Sequence, residues 1–244
     1  VALAGRPVYT DRMLLYRFAD AASWIGAAIG ELREAARLAR SSGRTRLALC
    51  LAGGATPEPV YRALASERLS GLDAELWLCD ERAVPRSDPA RNGGMIERAF
   101  EDCSWEPYPR LRPWPDAQTE AEAEESAGAY EAELAASLGA PPAFDLAILG
   151  LGADGHTASL FPWNGEGSAA RSSPRGLAAV AISPLEPALR MTLTFEALSR
   201  STRRVFLARG PGKLGAVGRL ADEDPALPAS RLAGPGSIIL YLED

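Results

Sequence analysis

His156 is the only imidazole in this 244-residue chain, and Asp154 precedes it by two positions in the glycine-rich run Gly150-Leu-Gly-Ala-Asp-Gly-His156. Imidazole is the side chain whose ordinary titration lies nearest neutrality. A carboxylate beside it in a tight turn can orient the ring and stabilise its protonated form. The pair therefore reads as a general base acting on water, a role worth about 10²–10⁴-fold in rate. Thr157 and Ser159 follow and suggest a Ser/His/Asp nucleophile system as an alternative. No Gly-x-Ser-x-Gly elbow is present, and Ser159 is expected to serve a following helix.

Three other segments combine glycine or charge with the end of an apolar run. In Leu51–Pro59 (LAGGATPEP), Gly53 and Gly54 allow close backbone approach, and the helix start beyond them offers free N–H groups to an anion. Thr56 either caps that helix or reaches a phosphate. A plain strand–helix turn would look much the same, and no Gly-Lys-Ser/Thr follows to make a Walker loop. In Leu78–Met95 the chain passes through Asp80, Glu81 and Arg82 into a loop rich in Pro, Ser and Asp. Charges there can simply mark the point where the chain meets water. Alternatively, Arg82 grips an anionic oxygen through its planar fork while an acid such as Asp80 orients it. Arg91 and Asn92, later in the loop, are placed to close over a substrate. Finally, Arg209–Lys213 (RGPGK) carries the one Lys among 26 basic residues. In so Arg-rich a chain, a retained Lys suggests a need for a compact ammonium.

Such loops need a scaffold, and the hydrophobic pattern supplies one. Short apolar runs alternate with longer amphipathic ones, the α/β signature. Strands are expected at Leu14–Phe18, Leu47–Ala52, Glu75–Asp80, Phe144–Leu149, Leu177–Ile182, Met191–Phe195, Val205–Ala208 and Ser237–Leu242. Most are near-continuous apolar runs, as in parallel strands covered on both faces; Met191–Phe195 alternates and suits an edge or antiparallel strand. Helices are expected at Asp20–Arg40, with Ala22, Ile25, Ile29, Leu32, Ala36 and Leu38 near one face and Asp20 as cap. Others follow at Thr56–Ala65, capped by Thr56 with Pro57 first in the helix, and at Thr119–Leu138, stopped by Gly139. The glutamates of the last helix, including Glu131 and Glu133, read as a solvated face. Pro107–Pro115 is a structured connection.

Length and composition narrow the classes. Without internal repeats or a long linker, residues 1–244 form one domain, an α/β, Rossmann-like fold with a mostly parallel sheet and helices on both faces. A net charge of −6 gives no bulk positive field for nucleic acid or an anionic membrane, and no apolar run is long enough for a membrane span. The N-terminal VALAGRPVYTDRM lacks the order of a signal peptide, and the spacing of Cys50, Cys79 and Cys103 fits a reducing cytoplasm better than disulfides or zinc. A cytoplasmic monomer with no metal or other cofactor is expected.

The segments Gly53–Pro57, Trp77–Asn92 and Gly150–Pro162, in that order, closely resemble those of 6-phosphogluconolactonases, and Arg190–Lys213 resembles the family's C-terminal block. The likeness runs from about residue 10 to 244, with DGHTASLFP its most specific part. It implies a fold related to sugar-phosphate isomerases and hydrolysis of 6-phospho-D-glucono-1,5-lactone to 6-phosphogluconate in the oxidative pentose phosphate pathway. His156 would take a proton from water and Asp154 would orient it. Arg82, Lys213 and the Gly53–Thr56 loop would hold the phosphate, with Asp80 and Asn92 also meeting substrate. Glycine-loop N–H groups or Arg82 would face the developing oxyanion. The chain departs from the pattern at Gly93 and Gly94, where a Tyr is common, and at Trp163, where Gly is frequent. Glucosamine-6-phosphate deaminases share the phosphate loop and the Asp-Gly-His turn. They typically continue Ile-Ala-Phe-Asn-Glu and carry Asp-Glu-Tyr, where this chain has Thr157-Ala158-Ser159 and Asp80-Glu81-Arg82. A non-catalytic sugar-phosphate-binding module would not need the intact Asp154/His156 pair.

Overall fold

Among the described residues twelve strands divide between two sheets, and the division decides which residues meet. The computed structural model describes residues 6–9, 13–162, 171–172 and 176–244, with side chains for 13–162 and 176–244. The larger sheet joins β1 (Arg6–Tyr9), β2 (Leu14–Phe18), β12 (Ser237–Leu242), β11 (Arg203–Arg209), β7 (Leu146–Gly150), β3 (Arg46–Leu51), β4 (Asp73–Leu78) and β6 (Arg110–Arg112), in that spatial order. Only β1–β2 is antiparallel; the other six pairings are parallel. The smaller sheet, β5 (Asp80–Arg82), β10 (Leu189–Leu193), β9 (Ala178–Ile182) and β8 (Arg171–Ser172), is antiparallel throughout. The α/β, Rossmann-like expectation holds, with this second sheet added.

The addition corrects three strand assignments. Glu75–Asp80 is two strands, and the break falls at Cys79. Its N–H still donates to Leu51 O on β3 at 2.9 Å, but its carbonyl accepts from Leu193 N at the end of β10 at 2.8 Å, so the chain changes sheets within one residue. Leu177–Ile182, apolar enough for a parallel strand, is antiparallel β9, and it is apolar because α4 (Glu120–Leu138) covers the small sheet. The run Met191–Phe195 is antiparallel as expected, but it ends at Leu193. Thr194 caps α5 (Phe195–Ser199) by accepting from Ala197 N.

Helices fill the remaining layers. In α1 (Ala21–Ser41), Asp20 caps by accepting from Ser23 N at 2.8 Å. The buried face centres on Trp24, Ala28, Leu32 and Ala35, rotated from the expected Ile25/Ile29 stripe. Alanines let the helix lie close to β11 and β12, and Trp24 Nε1 bonds Leu240 O at 2.9 Å. The capping box on α4 uses Thr119 and Glu122. Its glutamates are not all solvated: Glu131 is buried, and its carboxylate accepts from Leu177 N at 2.8 Å, while the neighbouring Tyr130 hydroxyl accepts from Leu78 N on β4 at 2.8 Å. A helix wedged between two sheets has no single wet face. Helix α2 (Glu58–Ala65) begins after Pro57, and Thr56 makes no capping bond, which corrects the expected start. Helix α3 (Asn92–Ala99) lies where a loop was expected, α6 (Leu214–Ala221) follows directly on Lys213, and Pro107–Pro115 contains β6. No described helix is long and apolar enough to cross a membrane.

Candidate active site

In the large sheet, β4 and β6 lie on one side of β3, while β7, β11 and β12 lie on the other. Loops leaving β3 and β7 therefore diverge, which opens a crevice at their carboxyl ends, the usual ligand position in an open α/β sheet. A cleft occupies this place. Its lining includes Gly53, Gly54 and Thr56 after β3, Gly150, Gly152, His156 and Ser159 after β7, and Lys213 after β11. The small sheet and α3 contribute Asp80, Arg82, Asn92 and Arg190.

His156 Nδ1 lies 2.6 Å from Asp154 Oδ1, and the same oxygen accepts from His156 N at 3.1 Å. With the carboxylate ionised, Nδ1 carries the proton and Nε2 keeps a free lone pair. Burial alone would raise the Asp154 carboxyl. The His156 backbone N–H and imidazole outweigh it and hold the group below its ordinary value. The turn is closed by Gly152 N donating to His156 O at 2.8 Å. Gly152 has no alternative here, because a Cβ would overlap both the imidazole and the carboxylate. The His156 side chain is 31% exposed, with its ring 4.8 Å from that of Phe161, so water can reach it.

A buried polar chain ties this loop to the small sheet. Ser159 Oγ donates to Asp80 Oδ2 at 2.6 Å, and Asn92 Nδ2 donates to Asp80 O at 2.8 Å. Ser159 thus serves Asp80 and not a following helix, and its hydroxyl is committed away from His156. Ala158, at φ 48, sits in the left-handed region that turns Ser159 inward. Asn92 opens α3 and is no loop residue; its amide presses on Gly53, where any Cβ would overlap it.

The cationic residues divide into bound and unbound. Arg91 does not close over the cleft. It is buried beside Glu81 (3.4 Å) and donates to Trp114 O at 3.0 Å and to Val84 O and Asp116 Oδ1, each at 3.1 Å. Arg82 donates to Ala90 O from Nη1 and lines the cleft. Arg190, which the sequence reading did not select, stands directly opposite Arg82 in the β5–β10 register. Opposed residues share a face of a sheet, and like charges so placed repel. Arg190 is 6% exposed; among the described residues Nε and Nη1 have no hydrogen-bond partner, and Nη2 has only a 3.4 Å contact to Leu185 O. Burial, followed by the Arg82 charge, lowers its proton affinity. The charges of Asp80, Glu81 and Glu186 offset part of this, but among the described residues none forms a salt bridge with Arg82 or Arg190, so the two guanidiniums make a place for an anion. The signal in the sequence was an Arg immediately before the apolar run at Met191. Lys213 ends a 3-10 turn, Pro211–Lys213, at the mouth of the same cleft. Among the described residues no group of three or more His, Cys, Asp or Glu side chains is placed to hold a metal ion. Trp163 lies outside the described residues.

The chain is similar to known proteins. Residues 19–240 match the family model described as glucosamine-6-phosphate isomerases/6-phosphogluconolactonase. A 6-phosphogluconolactonase of Synechocystis sp. is 36% identical over 202 residues, covering 80% of this chain and 81% of that protein. The GDH/6PGL endoplasmic bifunctional protein of Homo sapiens is 34% identical over 86% of this chain, which spans 27% of its length. Among solved structures, 6-phosphogluconolactonase from Thermotoga maritima superposes with a TM-score of 0.74 at 26% identity, covering 96% of this chain and 100% of that one. The enzyme from Trypanosoma cruzi gives 0.77 at 26% identity, covering 94% and 93%.

Proposed function

The chain belongs to the glucosamine-6-phosphate isomerase/6-phosphogluconolactonase family, and from that premise we propose that it hydrolyses 6-phosphogluconolactone to 6-phosphogluconate, in the pentose phosphate pathway, as a carboxylic ester hydrolase. The observation that carries the reading is a hydrogen-bonded Asp154–His156 pair beside a cleft that also holds the cross-strand Arg82–Arg190 pair and Lys213. One group suits activation of water; the other suits a phosphate.

A δ-lactone is already an activated ester, so water, a base and a means of holding the substrate are sufficient. His156 Nε2 takes a proton as water oxygen attacks the carbonyl carbon, and Asp154 stabilises the imidazolium. The carbonyl electrons move to oxygen, where glycine-loop N–H groups or Arg82 meet the charge. As the carbonyl reforms, the bond from carbon to ring oxygen breaks, and the imidazolium returns its proton to that oxygen. Arg82, Arg190, Lys213 and the Gly53–Thr56 loop grip the distant phosphate, while Asp80 and Asn92 meet the sugar. Remote binding energy of this kind orients the reacting carbon.

The deaminase arm of the family is disfavoured by the residues after His156. Thr157 and Ser159 are buried, and Ser159 is engaged with Asp80. The test is turnover of 6-phosphogluconolactone above its spontaneous hydrolysis, beside ammonia release from glucosamine 6-phosphate. Lactonase activity without ammonia is expected; ammonia release, or binding without turnover, would overturn the reading. The free cysteines Cys50, Cys79 and Cys103 fit a reducing, cytoplasmic setting.

A further inference from the structure

Glu81 is a fully buried carboxylate that the mechanism above does not use: it is 0% exposed and absent from the cleft lining. Its bonds are nevertheless concentrated on the residues that form the cleft. Oε1 accepts from Arg82 N at 2.8 Å and from Asn92 N at 2.7 Å; Oε2 accepts from Gly93 N at 2.8 Å and faces Arg91 Nε at 3.4 Å. One side chain thus receives the main chain of β5 and the first two N–H groups of α3. Arg91, the one cation in contact with it among the described residues, is fixed in turn by Val84, Trp114 and Asp116.

We propose that Glu81 is a positioning residue that rivets β5 to the start of α3 and thereby sets where Arg82 stands in the cleft. The inference rests on the lactonase reading, in which Arg82 grips the phosphate. The geometry favours positioning over mere support of a helix end. A capping side chain serves its own helix, whereas this one reaches from β5, where it also accepts from its neighbour Arg82 N, to the first N–H groups of α3. A buried anion with one ionic partner is a costly way to gain stability, and its established use is to fix one arrangement among several. Gly93 belongs to the same device. A Cβ there would stand 3.3 Å from Glu81 Oε2, and that oxygen cannot yield without leaving Gly93 N or Arg91.

The test is Glu81→Gln, assayed on 6-phosphogluconolactone and on unphosphorylated glucono-δ-lactone. An amide presents its NH₂ where Oε2 now accepts, so donor meets donor at Gly93 N. The expected result is a KM for the phosphorylated lactone raised about tenfold, with kcat within about threefold of wild type, because binding and not chemistry is lost. Constants on the unphosphorylated lactone should stay within about twofold. With Arg82 already replaced by Ala, the added KM penalty should shrink to about twofold or less, since residues that act through one another are not additive. Gly93→Ala is the second variant and decides the matter if Glu81→Gln does not fold. Alanine favours the helix, so thermal stability should hold while KM for the phosphorylated substrate rises about two- to fivefold. A folded Glu81→Gln with wild-type KM, or equal proportional losses on both lactones, overturns the positioning role. If Glu81→Gln does not fold, wild-type KM in Gly93→Ala does the same. Wild-type protein that turns over neither lactone would instead overturn the lactonase reading, and with it this inference.

Discussion

On one side of the cleft, Asp154 and His156 lie two residues apart in a single turn and bond each other at 2.6 Å. On the other, Arg82 and Arg190 come from distant parts of the chain and meet only because β5 pairs with β10. The first group satisfies itself: carboxylate holds imidazole, and the turn is complete without ligand. The second group repels itself and leaves Arg190 Nε and Nη1 unbonded. A catalytic base has to be pre-oriented before substrate arrives. An anion site can remain unsatisfied until the anion supplies the missing charge, and that deficit drives binding.

If this contrast is right, removing the base should be the most damaging change and should not depend on the phosphate. His156→Ala is expected to lower kcat by about 10²–10⁴ on both the phosphorylated and the unphosphorylated lactone. The measurement is turnover corrected for spontaneous hydrolysis, with circular dichroism to show an intact fold. A folded variant keeping more than half of wild-type turnover would remove His156 from the mechanism.

The anion side should respond differently, and less. Arg190→Ala or Lys213→Ala each removes one charge-assisted contact of roughly 1.5–3 kcal/mol, so kcat/KM for the phosphorylated lactone should fall about 10- to 150-fold. On the unphosphorylated lactone the loss should largely vanish. Arg190→Ala carries a second expectation. Because the guanidinium is buried and opposed by Arg82, ligand-free protein should melt no lower than wild type, while the stabilisation by added 6-phosphogluconate should diminish. A large drop in ligand-free melting temperature would mean that Arg190 is a structural cation, and the contrast between the two sides would fail.

The same contrast explains what the sequence disclosed. Asp154, His156 and their glycines form a local unit, so residue types and spacing carried the whole motif. The parallel core strands were legible for a similar reason, since each is an apolar run whose partners do not alter its pattern. The small sheet was not. Its strand β5 is three residues long and charged, and nothing in Asp80-Glu81-Arg82 announces that Cys79 hands the chain from β3 to β10. Arg190 was missed with it, because its importance comes from its cross-strand neighbour. Arg91 was misjudged for the converse reason: an Arg in a polar loop looks free until Trp114 and Asp116 are seen to hold it.

The smallest expected effect concerns protons, and here the two sides should differ in sign. Asp154 titrates below its ordinary value because its hydrogen bonds to His156 overcome burial. Its folded form binds protons more weakly than the unfolded chain does. The resulting stabilisation is fully present above the ordinary aspartate value of 3.8 and is lost as pH falls through the lowered folded value. Glu81 is displaced the other way. Burial raises its carboxyl above 4.5, against the pull of the Gly93, Arg82 and Asn92 N–H groups and Arg91. Its titration contributes stability that is present below 4.5 and lost as pH rises through the raised folded value. Melting wild type, Asp154→Asn and Glu81→Gln from acid to neutral pH separates the two. The advantage of wild type over Asp154→Asn should grow with pH and amount to no more than about 1 kcal/mol, because the carboxylate is partly exposed and screened. The advantage over Glu81→Gln should shrink with pH across its own window, whatever its absolute size. Parallel pH trends in the two variants would show that the carboxyls share one environment, and the distinction between a self-satisfied turn and a buried rivet would be wrong.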